Sequence, residues 1–149
     1  MQRLFPNILA VVLLVGCANA PPLASVPLPS DIAISVPDNK LPAERRAFSG
    51  KWAGKWRGLA GGQQQETVLI VENLTADGAT VVYAQGDHSR FPAFFRRTQA
   101  RFVGAKLNFS FEQRAPVSFS YELQPDGTLK AESMSRGFTA VSTLSRVNS

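Results

Sequence analysis

Residues 86–90 are the one stretch of this chain that places an acid, a base and a nucleophile side by side, as Asp87, His88 and Ser89. These residue types perform acyl transfer when an orienting carboxylate, a base and a hydroxyl are aligned in space. Triads draw their members from separate elements, because adjacent side chains cannot reach that alignment. We therefore predict a loop here, with no catalytic residues in the chain and His88 as a ligand-contacting side chain.

The amino-acid composition argues against several classes of binding site. A single cysteine excludes an internal disulfide, and a single histidine argues against a histidine-based metal site. The 16 Lys and Arg residues exceed the 11 Asp and Glu residues, for a net charge of +5, but cationic runs stop at pairs such as Arg45-Arg46. We expect no metal, no cofactor and no nucleic-acid partner.

Cys17 ends an amino-terminal segment with the features of an export signal. Arg3 precedes an apolar run over residues 8–15, which is too short for a membrane-spanning helix of about 20 residues. The letters LVGC at residues 14–17 resemble the lipobox of bacterial lipoproteins. That resemblance implies cleavage before Cys17 and a diacylglycerol thioether with acyl chains such as palmitate. Since Ala18 rather than aspartate follows, it also implies the periplasmic face of the outer membrane. An ordinary cleaved signal with a chance cysteine is the alternative.

Proline is concentrated between the cysteine and residue 47, where six of the ten prolines fall. Proline removes backbone donors and favours an extended chain of about 3.1 Å per residue. We predict a signal peptide over residues 1–16, a lipid-anchored spacer over residues 17–47 and a folded domain over residues 48–149. A docking segment for a partner is the alternative interpretation of the spacer.

From residue 48 onward the hydrophobic period becomes two. Phe109 and Phe111 alternate with polar residues, as do Phe119 and Tyr121, a pattern typical of half-buried antiparallel strands. Glycine-containing turns separate eight predicted strands, at residues 51–58, 67–74, 79–84, 94–102, 107–112, 117–124, 128–134 and 138–146. The second is apolar on both faces in its middle, which indicates that both faces are covered. We predict an all-β fold, a single small monomeric up-and-down antiparallel barrel with a largely filled interior.

Both tryptophans lie on one face of the first predicted strand, in the order Gly50, Trp52, Gly54 and Trp56. Small barrels often alternate small and large inward residues in this way. Each Gly-Lys-Trp triplet resembles the G-x-W start of the first strand in lipocalins and related calycin barrels. The resemblance implies that a tryptophan lies at the closed end and that a late arginine, here Arg146, packs across it. The WAGKW and VVYAQG segments also resemble bacterial envelope proteins of unknown function, and sugar stacking is the alternative role of the tryptophans.

Two binding surfaces are predicted. A barrel mouth would be lined by Tyr83, His88, Phe94, Phe95 and Phe138. A basic face, which could attract lipid phosphates, lipopolysaccharide or an acidic protein, would combine Lys51, Lys55, Arg57, Arg97 and Arg101. A solvated strand face is the alternative interpretation of these cations.

The expected function is that of a non-enzymatic, lipid-anchored envelope protein. Its barrel would bind a hydrophobic or amphipathic ligand or an envelope polymer, an expectation that depends on analogy with the fold. The alternative is a protein–protein module, such as an inhibitor of a hydrolase directed at the envelope. An enzyme with His88 as its base is the third hypothesis.

Overall fold

The computed structural model describes residues 26–58, 62 and 64–148, so Cys17 and the predicted signal peptide lie outside the described residues. One short helix precedes eight strands, which are α1 (Ala43–Arg46), β1 (Gly50–Trp56), β2 (Gln65–Leu74), β3 (Gly78–Gln85), β4 (Phe94–Val103), β5 (Lys106–Glu112), β6 (Pro116–Leu123), β7 (Leu129–Ser135) and β8 (Phe138–Val147). Each strand pairs antiparallel with the next, and β8 pairs with β1 to close the barrel. The predicted eight-stranded up-and-down barrel is confirmed, with strand ends within two residues of those expected.

Tight turns join most neighbouring strands. Between β7 and β8, Arg136 and Gly137 both have positive φ, at 49° and 77°. Two such residues in succession produce a turn whose twist matches that of the flanking strands. This turn makes the β7–β8 hairpin a continuous ladder from Ser135–Phe138 to Leu129–Leu144.

The interior of the barrel is filled by side chains. Trp52, Trp56 and Tyr121 are at most 2% exposed and belong to one core cluster. Within it the ring of Phe109 stacks against that of Phe119 at 5.0 Å and that of Tyr121 at 5.7 Å. Large aromatic rings each bury on the order of 150–250 Å². They fill the narrow interior of an eight-stranded barrel, as the sequence predicts.

The two ends of the barrel differ. The α1 end carries the helix and the β2–β3, β4–β5 and β6–β7 turns. There the buried ring of Phe48 meets that of Phe102 edge to face at 5.4 Å, and the guanidinium of Arg45 lies 4.4 Å from the Phe102 ring centroid. The loop end carries the β1–β2 and β3–β4 connections and the β5–β6 and β7–β8 turns. The α1 end is therefore capped by packed aromatic rings.

Residues 26–35, which we call the strap, pack against the outside of the barrel. Val26 is only 7% exposed and clusters with outward-facing residues of β1, β2 and β3, including Val68 and Ile70. The Ser35 N–H donates to the Glu72 carbonyl oxygen at 2.7 Å. The chain is extended as its prolines require, but its aliphatic side chains match an apolar patch on the barrel. The strap thereby accounts for the apolar outer face of β2.

The described part of the chain contains no helix that is long and apolar enough to cross a membrane.

Candidate functional site

The predicted mouth residues share the loop end but do not form one pocket. Tyr83 is 1% exposed inside the core, where its hydroxyl accepts from Trp56 Nε1 and donates to Gln85 Oε1, both at 3.1 Å. Burial raises the pKa of Tyr83 above its ordinary value. The hydroxyl is thus neutral and engaged with neighbouring side chains, so Tyr83 is part of the core.

The three predicted phenylalanines point in different directions. Phe94 is half-buried, with its ring 5.9 Å from the rings of Tyr83 and Phe111. Phe95 is 46% exposed, and Phe138 is 78% exposed at the start of β8. The structure therefore places one of these rings against the core and leaves the other two exposed to solvent.

His88 stabilises the β3–β4 loop. Its backbone exchanges hydrogen bonds with that of Phe91 at 3.0 and 3.1 Å, and the two rings lie 5.5 Å apart. Its Nδ1 accepts from the Arg90 N–H at 3.2 Å, while its Nε2 is buried without a hydrogen-bond partner. Since Nδ1 accepts from the loop backbone, His88 contributes to the structure of the β3–β4 loop.

The predicted basic face is not a single surface. Lys51, Lys55 and Arg57 belong to the β1 region, whereas Arg97 and Arg101 lie on β4, with β2 and β3 between them. Period-two alternation shows which residues share a strand face but not which strands are neighbours, and here two strands intervene. The predicted patch is therefore divided.

Arg97 is also neutralised by ion pairs. It donates to both carboxylate oxygens of Glu72 at 2.8 and 3.0 Å, and to both of Asp31 in the strap at 3.0 Å. The guanidinium holds the pKa of Asp31 below its usual value. Arg97 therefore fastens the strap to the barrel, and its charge is not available to a ligand.

A groove of about 510 Å³ crosses the outer face of the barrel from β4 to β8. Its middle strands, β5 and β6, contribute small polar side chains, and β4 and β7 contribute longer ones. The lining consists of Gln99, Arg101, Val103, Asn108, Ser110, Ser118, Ser120, Glu132, Met134 and Thr139, together with Ser133 and the core residues Phe109 and Phe119. The sequence placed these serines on the outward face of the strands and indicated no role for them. The signal that could have revealed the groove is a row of small outward residues on two adjacent strands between strands with longer side chains.

Divergence of β4 from β5 accompanies the groove. These strands pair only at their α1 end, from Val103–Lys106 to Arg101–Asn108. Closer to the loop end, Arg96 spans the two strands, since its Nη1 donates to the Glu112 carbonyl oxygen at 3.4 Å. Gln99 and Ser110 therefore line the groove without being ladder partners.

The lining of the groove combines polar and apolar groups. Hydroxyl and amide groups provide donors and acceptors, while Val103 and Met134, 68% and 57% exposed, provide apolar contacts. Among its described lining residues Glu132 is the one carboxylate, and it pairs with Lys130 at 3.2 Å. Within residues 26–58, 62 and 64–148, no group of three His, Cys, Asp or Glu residues could hold a metal ion.

Comparison with protein-family models, with curated proteins and with solved structures finds no match to this chain.

Proposed function

We propose that this protein is a non-enzymatic cell-envelope protein, anchored through lipid on Cys17 to the periplasmic face of the outer membrane. Its barrel binds an amphipathic molecule or a segment of an envelope polymer in the external groove. The observation that carries this proposal is the combination of a filled interior with an open groove across β4–β8.

The shape and lining of the groove suit such a ligand. Small-molecule sites commonly measure about 300–1,000 Å³, a range that includes the groove. Ser110, Ser118 and Asn108 offer hydrogen bonds from its middle strands, and Val103 and Met134 offer aliphatic surface from its flanks. An amphipathic molecule matches this division, since it can direct polar groups to the floor and apolar groups to the edges.

A hydrolase inhibitor that inserts a loop into an active site has less support. The β3–β4 loop is held to itself by the His88–Phe91 backbone hydrogen bonds and to the barrel by Gln65, whose Nε2 donates to the Gly86 carbonyl oxygen at 2.9 Å. A plug of that kind needs a loop that projects into solvent.

Ser118→Tyr tests the proposal by filling the groove from its floor. Thr143→Tyr is the matched control, because Thr143 is an exposed outward residue of β8 that does not line the groove. Tyrosine is favourable in strands, so both variants are expected to fold. Each protein is purified from its native membrane, and mass spectrometry identifies small molecules and polymer fragments that remain bound.

We expect the wild type and Thr143→Tyr to retain the same molecule and Ser118→Tyr to lose it. Retention by all three proteins, or the absence of any bound molecule from the wild type, would contradict binding in the groove.

A further inference from the structure

We infer that the loop end of the barrel docks onto a bilayer surface of anionic phospholipid head groups. The inference rests on the lipid anchor proposed for Cys17, and it adds an orientation and a second membrane contact to that anchor.

Exposed apolar side chains cluster on the β7–β8 hairpin at this end. Phe138 is 78% exposed, Met134 57% and Val141 40%. Met134 and Val141 face outward on the hairpin, while Phe138, the ladder partner of Ser135, stands at the end of the hairpin beside the turn. We call Met134, Phe138 and Val141 the hairpin patch. Burying an apolar surface of this kind against a partner is favourable, and an aromatic ring suits the head-group region of a membrane.

Arginines surround the hairpin patch. Arg57 shares two backbone hydrogen bonds with Val141, at 2.8 and 3.0 Å. Arg136 lies in the β7–β8 turn and donates through Nη2 to the carbonyl oxygen of Arg114 in the neighbouring β5–β6 turn, at 3.0 Å. All three arginines are exposed.

The charge of the turns differs between the two ends of the barrel. At the α1 end, the β2–β3 and β6–β7 turns contain Asp77 and Asp126. At the loop end, the β5–β6 and β7–β8 turns contain Arg114 and Arg136 instead. The loop end also carries further ionised residues, which are Lys55, Glu66, Asp87, Arg90, Arg96 and Glu112. Glu132, the ladder partner of Val141, is paired with Lys130 at 3.2 Å, so Arg57, Arg114 and Arg136 leave an excess of positive charge beside the hairpin patch. Anionic lipid is the partner that complements both its charge and its apolar surface.

The position of the anchor agrees with this orientation. Eight residues, 18–25, separate Cys17 from Val26, so even a fully extended chain spans only about 30 Å. Val26 clusters with Ala84, the second-last residue of β3, which ends at the loop end of the barrel. Ser35 is hydrogen-bonded to Glu72, near the α1 end. The strap therefore runs from the loop-end side toward α1, and the lipid lies within reach of the loop end.

Single fluorescent labels at the two ends of β5 test the docking in the full lipidated protein. Gln113→Cys, in the β5–β6 turn, carries a label at the loop end, and Ala105→Cys, in the β4–β5 turn, carries the matched label at the α1 end. The proteins are reconstituted into vesicles of phosphatidylcholine with or without phosphatidylglycerol, and brominated lipid quenches any label at the bilayer surface.

We expect quenching of the label at position 113 to exceed that at position 105 in vesicles that contain phosphatidylglycerol. This difference is expected to fall in phosphatidylcholine alone and at about 1 M salt, where charges are screened beyond about 3 Å. Phe138→Ser should reduce quenching at position 113, whereas Val36→Ser, which removes a 93% exposed side chain of the amino-terminal segment, should not.

Equal quenching at the two ends, stronger quenching at position 105, or no dependence on phosphatidylglycerol would overturn the docking. The mass of Cys17 is measured separately on the same protein. An unmodified Cys17 would overturn the proposed anchor, and the quenching at positions 113 and 105 would still decide whether this end meets the bilayer.

Discussion

Arg146 connects β8 to the segment that leads into β1. Its guanidinium carbon lies 4.2 Å from the centroid of the Trp52 ring, and its two Nη atoms donate to the carbonyl oxygens of Ser49 and Ala47 at 2.5 and 2.6 Å. Gly50 accommodates this contact, since a Cβ there would lie 2.7 Å from Arg146 Nη1 and its φ of 116° also favours glycine. One side chain thus helps to close the barrel at its α1 end.

Replacing Arg146 with lysine should destabilise the protein by about 1–2 kcal/mol, because lysine keeps the charge but loses the planar fork that reaches two carbonyl groups. Arg46→Lys, at an exposed position on α1, is the control and should change the free energy of unfolding by less than about 0.5 kcal/mol. Denaturant titration measures both. Equal stability of the wild type and Arg146→Lys would show that the fork is not needed.

The contact between Arg146 and Trp52 is predicted from the resemblance of the Gly-Lys-Trp triplet to the first strand of lipocalin-like barrels, which implies a late arginine across the tryptophan. The structure confirms it. The bonds from Arg146 to Ala47 and Ser49 could not be predicted, since the irregular chain between α1 and β1 has no periodicity that fixes its path. Likewise, alternation identified Tyr83 and Phe94 as aromatic strand residues but did not reveal how deeply each is buried.

The strap is the element whose position on the barrel the sequence could not predict. Its prolines correctly indicate an extended chain, yet nothing local marks the surface that it covers, because Val68 and Ile70 lie some forty residues further along the chain. The doubly apolar pattern of β2 predicted a cover without identifying it. Arg97 holds the strap on the barrel through ion pairs with Glu72 of β2 and Asp31 of the strap.

Acidification should loosen the strap. Arg97 lowers the pKa of Asp31 below its ordinary value of 3.8, so this ion pair stabilises the folded strap above that pH and is lost as the pH falls through the lower folded value. Hydrogen-exchange protection of the Ala33 and Ser35 amides, corrected for intrinsic rates, should therefore decrease over that range.

Asp31→Asn should lower the protection of these two amides already at neutral pH, because it removes the carboxylate that Arg97 binds. Asp77→Asn, in the β2–β3 turn, is the charge-matched control and should leave the protection unchanged. Unchanged protection in Asp31→Asn would mean that Glu72 and apolar burial hold the strap without Asp31.

At the scale of the whole molecule, the barrel offers two different outer faces. The strap covers β1–β3, while β4–β8 carry the groove. Met134 belongs to both the groove and the hairpin patch, so the proposed membrane contact would bring one end of the groove to the lipid surface. An amphipathic ligand could then pass between the bilayer and the groove without entering the filled interior.

The central claim is that the mature protein is held at a membrane by lipid on Cys17, and the mass of its amino-terminal peptide tests this most directly. Protein purified from its native membrane should begin at Cys17 and carry a diacylglycerol thioether and an acyl chain on the amine. A free Cys17 thiol, or a mature chain that begins after residue 17 without lipid, would contradict the account.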